Sequence, residues 1–312
     1  MRILTSVAVM ALLATSAWAQ PANEAEPAWY RSAIALVPAG YVAGNAYSTD
    51  AAGTTGYLAV YAASASDPKT PASVFAPRQM LVVALDGSRA LSAELKPRGD
   101  SDITTANADS DEGDFAERQA ELGAKRATLP EGTEPCDLGA WSEDKDPVGL
   151  NVRDAPTVKA RVLGKLPSPY RLKMGGAENT PDGGWLTEFR IIGFRDGWFL
   201  IENATPPGKA YEDENRYPRN APKPYAGRGW VAANKIGANY ANGGTRMGGL
   251  FQAPHVDAKW MPARRKLGGP LDTDDGPKRI FACSGHWALV ESHDGVRGWW
   301  RSLCSNQVTT CS

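Results

Sequence analysis

The sequence predicts a mainly β fold: two small β units in tandem, preceded by a less regular N-terminal region with β-hairpin character. Three observations carry that prediction. Glycine (32) and proline (23) are abundant and tryptophan (10) is plentiful, a mix suited to short strands joined by many turns. Apolar residues come in short runs closed by turn pairs such as Asp86-Gly87, rather than at helical spacing. Three sequence blocks of the C-terminal half also recur in the same order.

Residues 1–19 read as a signal peptide. Arg2 supplies the positive start, Ile3 to Leu13 is largely apolar, and Ala17-Trp18-Ala19 is a small-x-small cleavage site. The apolar run is too short for a permanent membrane anchor, and it has no polar face for an amphipathic helix. No cysteine precedes Cys136, which rules out a lipid-bearing N-terminal cysteine. The expectation is an exported protein, periplasmic or secreted, with no stable membrane anchor.

Residues 20–32, rich in Pro, Ala and Glu, are expected to form a tail, and residues 33–99 a small β-rich region of no recognised family. Within it Gly56 to Tyr61 is a candidate strand with Tyr57, Ala59 and Tyr61 on one face. Met80 to Leu85, closed by Asp86-Gly87 and followed by Ala90-Leu91, is a candidate hairpin. Residues 100–130 form an acidic linker. Asp100 to Asp114 has too little apolar surface to offset its ordering entropy, and Asp109 to Asp114 lacks the ligand spacing of a calcium loop. Phe115 to Arg126 is a candidate short helix.

The next segment is the most informative. Leu150-Asn151-Val152-Arg153-Asp154-Ala155-Pro156 is followed by Gly197-Trp198-Phe199-Leu200-Ile201-Glu202 and then by Arg228-Gly229-Trp230-Val231. A strand ending in Ala-Pro, a Gly-Trp strand and a second Gly-Trp-Val strand resemble the bacterial SH3 domain, SH3b. The likeness covers roughly 136–236, with long insertions at 171–190 and 203–226. It implies a small barrel that binds rather than reacts, here a first SH3b-like domain over 136–240. In Gly197 to Glu202 both faces are apolar, which predicts a strand with something packed on its outer side.

A second, degenerate copy is expected over 247–312. Gly249 to Pro254 matches Asn151 to Pro156, Trp287 to Glu291 matches Trp198 to Glu202, and Arg297-Gly298-Trp299 matches Arg228-Gly229-Trp230. The shifts shrink along the chain because the first copy carries the longer insertions. The predicted architecture is two small SH3-like barrels in tandem. Gly243-Gly244 and Gly248-Gly249 flank a linker between them and are read as flexible.

A barrel this small is marginal without staples. In an exported chain the four cysteines, Cys136, Cys283, Cys304 and Cys311, form two disulfides. Three pairings are open. A hairpin turning at His293-Asp294, extrapolated along both strands, sets Cys283 opposite Cys304 and offers that pair as one choice.

No catalytic constellation is found. Ala282-Cys283-Ser284-Gly285 is similar to the Asp-Cys-Ser-Gly nucleophile motif of cell-wall cysteine peptidases. Here Ala282 replaces the aspartate and a strand follows where those enzymes have a helix, so Cys283 is read as a disulfide cysteine. His255, His286 and His293 show no metal-ligand spacing, and neither metal nor other cofactor is predicted. A formal net charge of −1 argues against nucleic acid, and Arg264-Arg265-Lys266 reads as a solvated loop.

The resemblance implies a shallow aromatic groove for an extended ligand. Candidate ligand-binding residues are Tyr170, Trp185, Trp198, Tyr225 and Trp230 in the first copy, and Trp287, Trp299 and Trp300 in the second; Tyr211 and Tyr217 lie in the polar insertion. The expected function is a non-enzymatic binding protein of the cell envelope that takes peptidoglycan peptides or an envelope protein as partner. The alternative is a cell-wall hydrolase or inhibitor-like protein whose activity lies in residues 33–130. That region contains neither histidine nor cysteine, so its chemistry would rest on carboxylates. A purely structural envelope protein differs from the first reading only in its ligand.

Overall fold

The computed structural model describes residues 27–47, 52–63, 79–97, 128–167, 170, 184–207, 222–241, 248–254, 258–273, 275–307 and 311. The expected signal peptide, acidic run and short helix, together with Tyr211, Tyr217, His255 and Gly243-Gly244, lie outside the described residues. Among the described residues no helix is long and apolar enough to cross a membrane.

A short helix, α1 (Tyr30–Ile34), precedes a four-stranded antiparallel meander of β1 (Tyr41–Tyr47), β2 (Thr55–Ala62), β3 (Gln79–Asp86) and β4 (Arg89–Pro97). The expected Asp86-Gly87 hairpin joins β3 to β4, with Gly87 in the left-handed region that such a turn requires. Period-two alternation puts Leu58 and Val60 of β2 with Leu81, Val83 and Leu85 of β3 in one cluster, capped by Trp29, Tyr30 and Ala33. Trp29 and Tyr30, expected within the tail, are therefore buried parts of this layer. Trp29 lies over Gly56, where a Cβ would come within 2.7 Å of its indole.

The second layer is a seven-stranded sheet. It contains β5 (Glu134–Ser142), β6 (Leu150–Arg153), β7 (Val162–Leu166), β8 (Glu188–Arg195), β9 (Trp198–Thr205), β10 (Gly229–Ala232) and β11 (Ile236–Gly237), in the order β11-β5-β8-β9-β10-β6-β7. After β12 (Asn239–Tyr240) comes a five-stranded sheet of β13 (Gly249–Phe251), β14 (Trp260–Pro262), β15 (Arg279–Ser284), β16 (Trp287–Glu291) and β17 (Arg297–Arg301), ordered β14-β13-β17-β16-β15. The last strand, β18 (Leu303–Cys304), pairs with β12. All the paired strands are antiparallel, and none of these sheets closes on itself.

The two larger sheets repeat one another. The run β7-β6-β10-β9-β8 has the order of β14-β13-β17-β16-β15. Trp230 faces Leu200 and Val231 faces Phe199; in the second sheet Trp299 faces Leu289 and Trp300 faces Ala288. Arg153 pairs with Trp230 as Phe251 pairs with Trp299. A single constant shift carries the pairs Arg190–Glu202, Ile191–Ile201 and Gly193–Leu200 onto Arg279–Glu291, Ile280–Val290 and Ala282–Leu289, with an irregularity after Ile191 and after Ile280 alike. A one-residue slip would turn every side chain to the wrong face, so shared register and shared bulge reflect one pattern used twice.

The repeated sheets bury one common core. Leu138, Phe199, Ile201 and Val231 from the first meet Leu250, Ile280, Val290 and Trp300 from the second. Gly248-Gly249, read from sequence as flexible, is part of this packing. Gly249 is buried in β13, where a Cβ would meet the Met261 carbonyl oxygen and the Trp260 ring.

Two disulfides are present, and they correct the Cys283–Cys304 pairing: Cys136 is bonded to Cys283, and Cys304 to Cys311. The hairpin turning near His293-Asp294 does exist as β16–β17. It stops at Trp287, because Gly285-His286 reverses the chain and places Cys283 on β15, opposite Ala288. The turn at Gly285 docks on β5 instead. The Asp137 N–H donates to the Gly285 carbonyl (2.8 Å), and the Gly285 N–H to that of Pro135 (2.7 Å). The Ser284 hydroxyl donates to Glu134 (2.5 Å). Residues 282–285 thus clamp the two repeated sheets together.

Candidate functional site

Most of the expected contact aromatics are spent on packing. Trp230, Trp287, Trp299 and Trp300 are buried, as are Tyr170 and Trp185; Trp198 and Tyr225 are half-buried. In the second copy Trp287 meets Phe251 edge-on (centroids 5.5 Å apart). With Leu289 and Trp299 they form a cluster against which Tyr61 of the N-terminal meander packs. The Asn45 amide donates to the Ala258 carbonyl (3.2 Å), and the Lys259 ammonium lies 5.2 Å from the Tyr30 ring centroid. The meander therefore covers the aromatic face of the second copy. In the first copy Leu200 and Trp230 form the matching cluster with Ile192, Leu129 and Trp198. These are the outer faces that the apolar Trp198–Leu200 stripe anticipates.

Tyr225 leads to a different surface. It ends the run Pro222-Lys223-Pro224-Tyr225, in which the prolines hold φ near extended values and leave no N–H to donate. The Tyr225 N–H donates to the Lys165 carbonyl (3.0 Å), which draws the run along β7, the edge of the seven-stranded sheet. The Tyr225 ring lies on Gly164, where a Cβ would come within 2.6 Å of it. Beside this run, Pro167 and the loop residues Pro147 and Val148 complete a shallow groove of about 430 Å³. The Asp146 carboxylate accepts the Val148 N–H (2.9 Å) and sets that loop's turn. Val148 is 62% exposed, so the groove presents apolar surface to solvent.

The groove is braced from behind. The Tyr170 hydroxyl donates to the Pro222 carbonyl (2.6 Å). Tyr170 is held by paired backbone hydrogen bonds to Trp185. The next residue, Leu186, is gripped on both its N–H and carbonyl by the Gln307 amide (2.9 and 2.8 Å), within the loop that Cys304–Cys311 closes. Burial pushes the Tyr170 hydroxyl up to about 12, a hydrogen bond with Thr187 opposing it, so it remains a donor at neutral pH. Tyr240 is raised too, first by burial and then by Asp275 and Asp294. An unfolded tyrosine titrates near ~10, so these groups stabilise the fold fully below that pH. Their contribution falls as pH rises through the folded value. A denaturation series should show stability decreasing between pH 10 and about 12, and Tyr170→Phe should flatten part of that slope.

Of the expected site residues, the structure brings only Tyr225 into the groove, with Tyr170 and Trp185 behind it. Sequence reasoning missed Pro147, Val148, Lys165, Pro167, Pro222, Lys223 and Pro224. The Pro222-Lys223-Pro224-Tyr225 run was the available signal, a stiff extended segment ending in an aromatic.

The second copy has a different residue at the equivalent place. Across β13–β14, Met261 faces Leu250 as Gly164 faces Val152 across β6–β7. The Met261 methyl packs close to Gly298, and counting back from the matched arginines sets Asp294 where the first copy has Tyr225. The aromatic-on-glycine floor therefore belongs to the first copy alone.

Cys283 is a disulfide sulfur rather than a free thiol. His293 Nε2 lies 3.2 Å from the Gly276 carbonyl. Among the described residues no group of three or more His, Cys, Asp or Glu side chains is placed to hold a metal. No family model, curated protein or solved structure matches the chain.

Proposed function

We propose that this is an exported, non-enzymatic binding protein of the cell envelope, made of two SH3-like modules, whose first module takes an extended peptide of the peptidoglycan or of an envelope protein. The groove beside Tyr225 carries this reading. It combines an aromatic floor, proline walls and a braced extended strap on a sheet edge, the surface chemistry on which extended peptides dock. The likeness of Leu150–Pro156, Gly197–Glu202 and Arg228–Val231 to SH3b strands supports it, since those segments contribute β6, β9 and β10 to the sheet whose edge strand, β7, borders the groove. Two disulfides suit an oxidising compartment.

The test is sedimentation of the chain from Gln20 with insoluble peptidoglycan sacculi. Wild type should co-sediment. Tyr225→Ala, folded by circular dichroism, should lose at least about tenfold in affinity, as befits an aromatic anchor. Absence of co-sedimentation at any salt would remove the wall as partner, and release of soluble muropeptides would overturn the non-enzymatic reading.

A further inference from the structure

The charged side chains among the groove's lining residues are both lysines. Lys165 on β7 and Lys223 on the strap both line it, and both are exposed. Among the described residues no carboxylate lines it beside them, and the Asp146 carboxylate at its rim is engaged by the Val148 N–H. Among the described residues neither ammonium has an ion-pair partner, whereas Arg190, Arg228 and Lys235 elsewhere in the first copy are each paired with a carboxylate. Two exposed lysines without a carboxylate partner, at an apolar groove in a chain of net charge −1, are not an effect of overall composition.

We infer that the ligand of this groove is an extended acidic peptide, its apolar residues packing on Tyr225 and the prolines while its carboxylates meet Lys165 and Lys223. The inference rests on the groove being the binding site proposed above and adds the chemical class of what enters it. Lysine is a flexible point charge without the planar fork of arginine, so the site selects for negative charge rather than for one carboxylate geometry. Solvent-exposed pairs of this kind add modestly to affinity, contribute more to selectivity, and weaken with salt. The second copy, with Met261 and Asp294 at the positions of Gly164 and Tyr225, lacks the aromatic floor.

The experiment is panning of a displayed random heptapeptide library against the full chain, alongside the Lys165→Glu/Lys223→Glu double variant and Gly164→Met. Both lysines are exposed, so the double variant should fold as the wild type does, with circular dichroism as the control. The wild-type pool should be enriched in peptides with two or more Asp or Glu residues, and should lose several-fold in binding between about 50 and 500 mM salt. The double variant should lose that pool, and Gly164→Met should lose it with the charges intact. A wild-type pool without acidic bias, acidic peptides retained by the double variant, or no enriched peptide at all would each overturn the inference. An acidic pool without sacculus binding would leave the inference standing and remove the wall. Sacculus binding that is lost in Tyr225→Ala but unchanged in the double variant would do the reverse.

Discussion

Replacing Cys136 and Cys283 together by alanine should destabilise the protein by about 4–5 kcal/mol, the expectation for releasing a very long loop. The bond spans a sequence separation of 147, against 7 for Cys304–Cys311, whose removal should cost about 2–3 kcal/mol. Loop-closure entropy accounts for the difference, since a long closed loop removes more freedom from the unfolded chain. The first bond also joins β5 to β15 and holds the Gly285 turn against Pro135 and Asp137. Denaturant unfolding without reductant gives both numbers. Equal costs for the two pairs, or native thiols titrating at Cys136 and Cys283, would contradict the assignment.

Trp300→Ala should cost about 3–5 kcal/mol, the range for deleting a large aromatic from a packed core. Trp300 is fully buried. Its ring meets Tyr240 at a centroid distance of 4.8 Å, and its indole N–H donates to the Ala241 carbonyl (3.2 Å). Alanine would leave a cavity and take the indole donor from the partly buried Ala241 carbonyl. Val231 occupies the matching place on β10, facing Phe199 as Trp300 faces Ala288. The large and small partners are exchanged between copies, which keeps the shared core filled. A loss below about 1 kcal/mol in urea would contradict this packing.

The parts of the fold that could be read from the sequence are local ones. Asp86-Gly87 marks the β3–β4 hairpin because its left-handed glycine suits the twist of the strands. Asp196-Gly197, both residues at positive φ, makes an equally legible hairpin between β8 and β9. The matched blocks revealed the duplication, since they lie on strands whose register is preserved.

What depended on distant partners was not legible. β5 is defined by its contacts with β8, β11 and the Gly285 turn rather than by alternation in Glu134–Ser142. Trp287 and Trp299 looked like contact residues because the covering Tyr61 lies in another layer, far away in sequence. The groove draws on residues 147–148, 164–167 and 222–225, three segments joined only by the fold. The disulfide choice failed at one turn, Gly285-His286, because a register cannot be extrapolated through a chain reversal.

Where the ligand sits is tested most directly by amide chemical-shift mapping of the isotope-labelled chain during titration with soluble muropeptides. The prediction is a contiguous set of shifts at Val148, Gly164, Lys165, Lys223 and Tyr225, with the Trp287 and Trp299 amides unmoved. Shifts centred on the second copy or on the N-terminal meander, or no shifts at millimolar ligand, would contradict it.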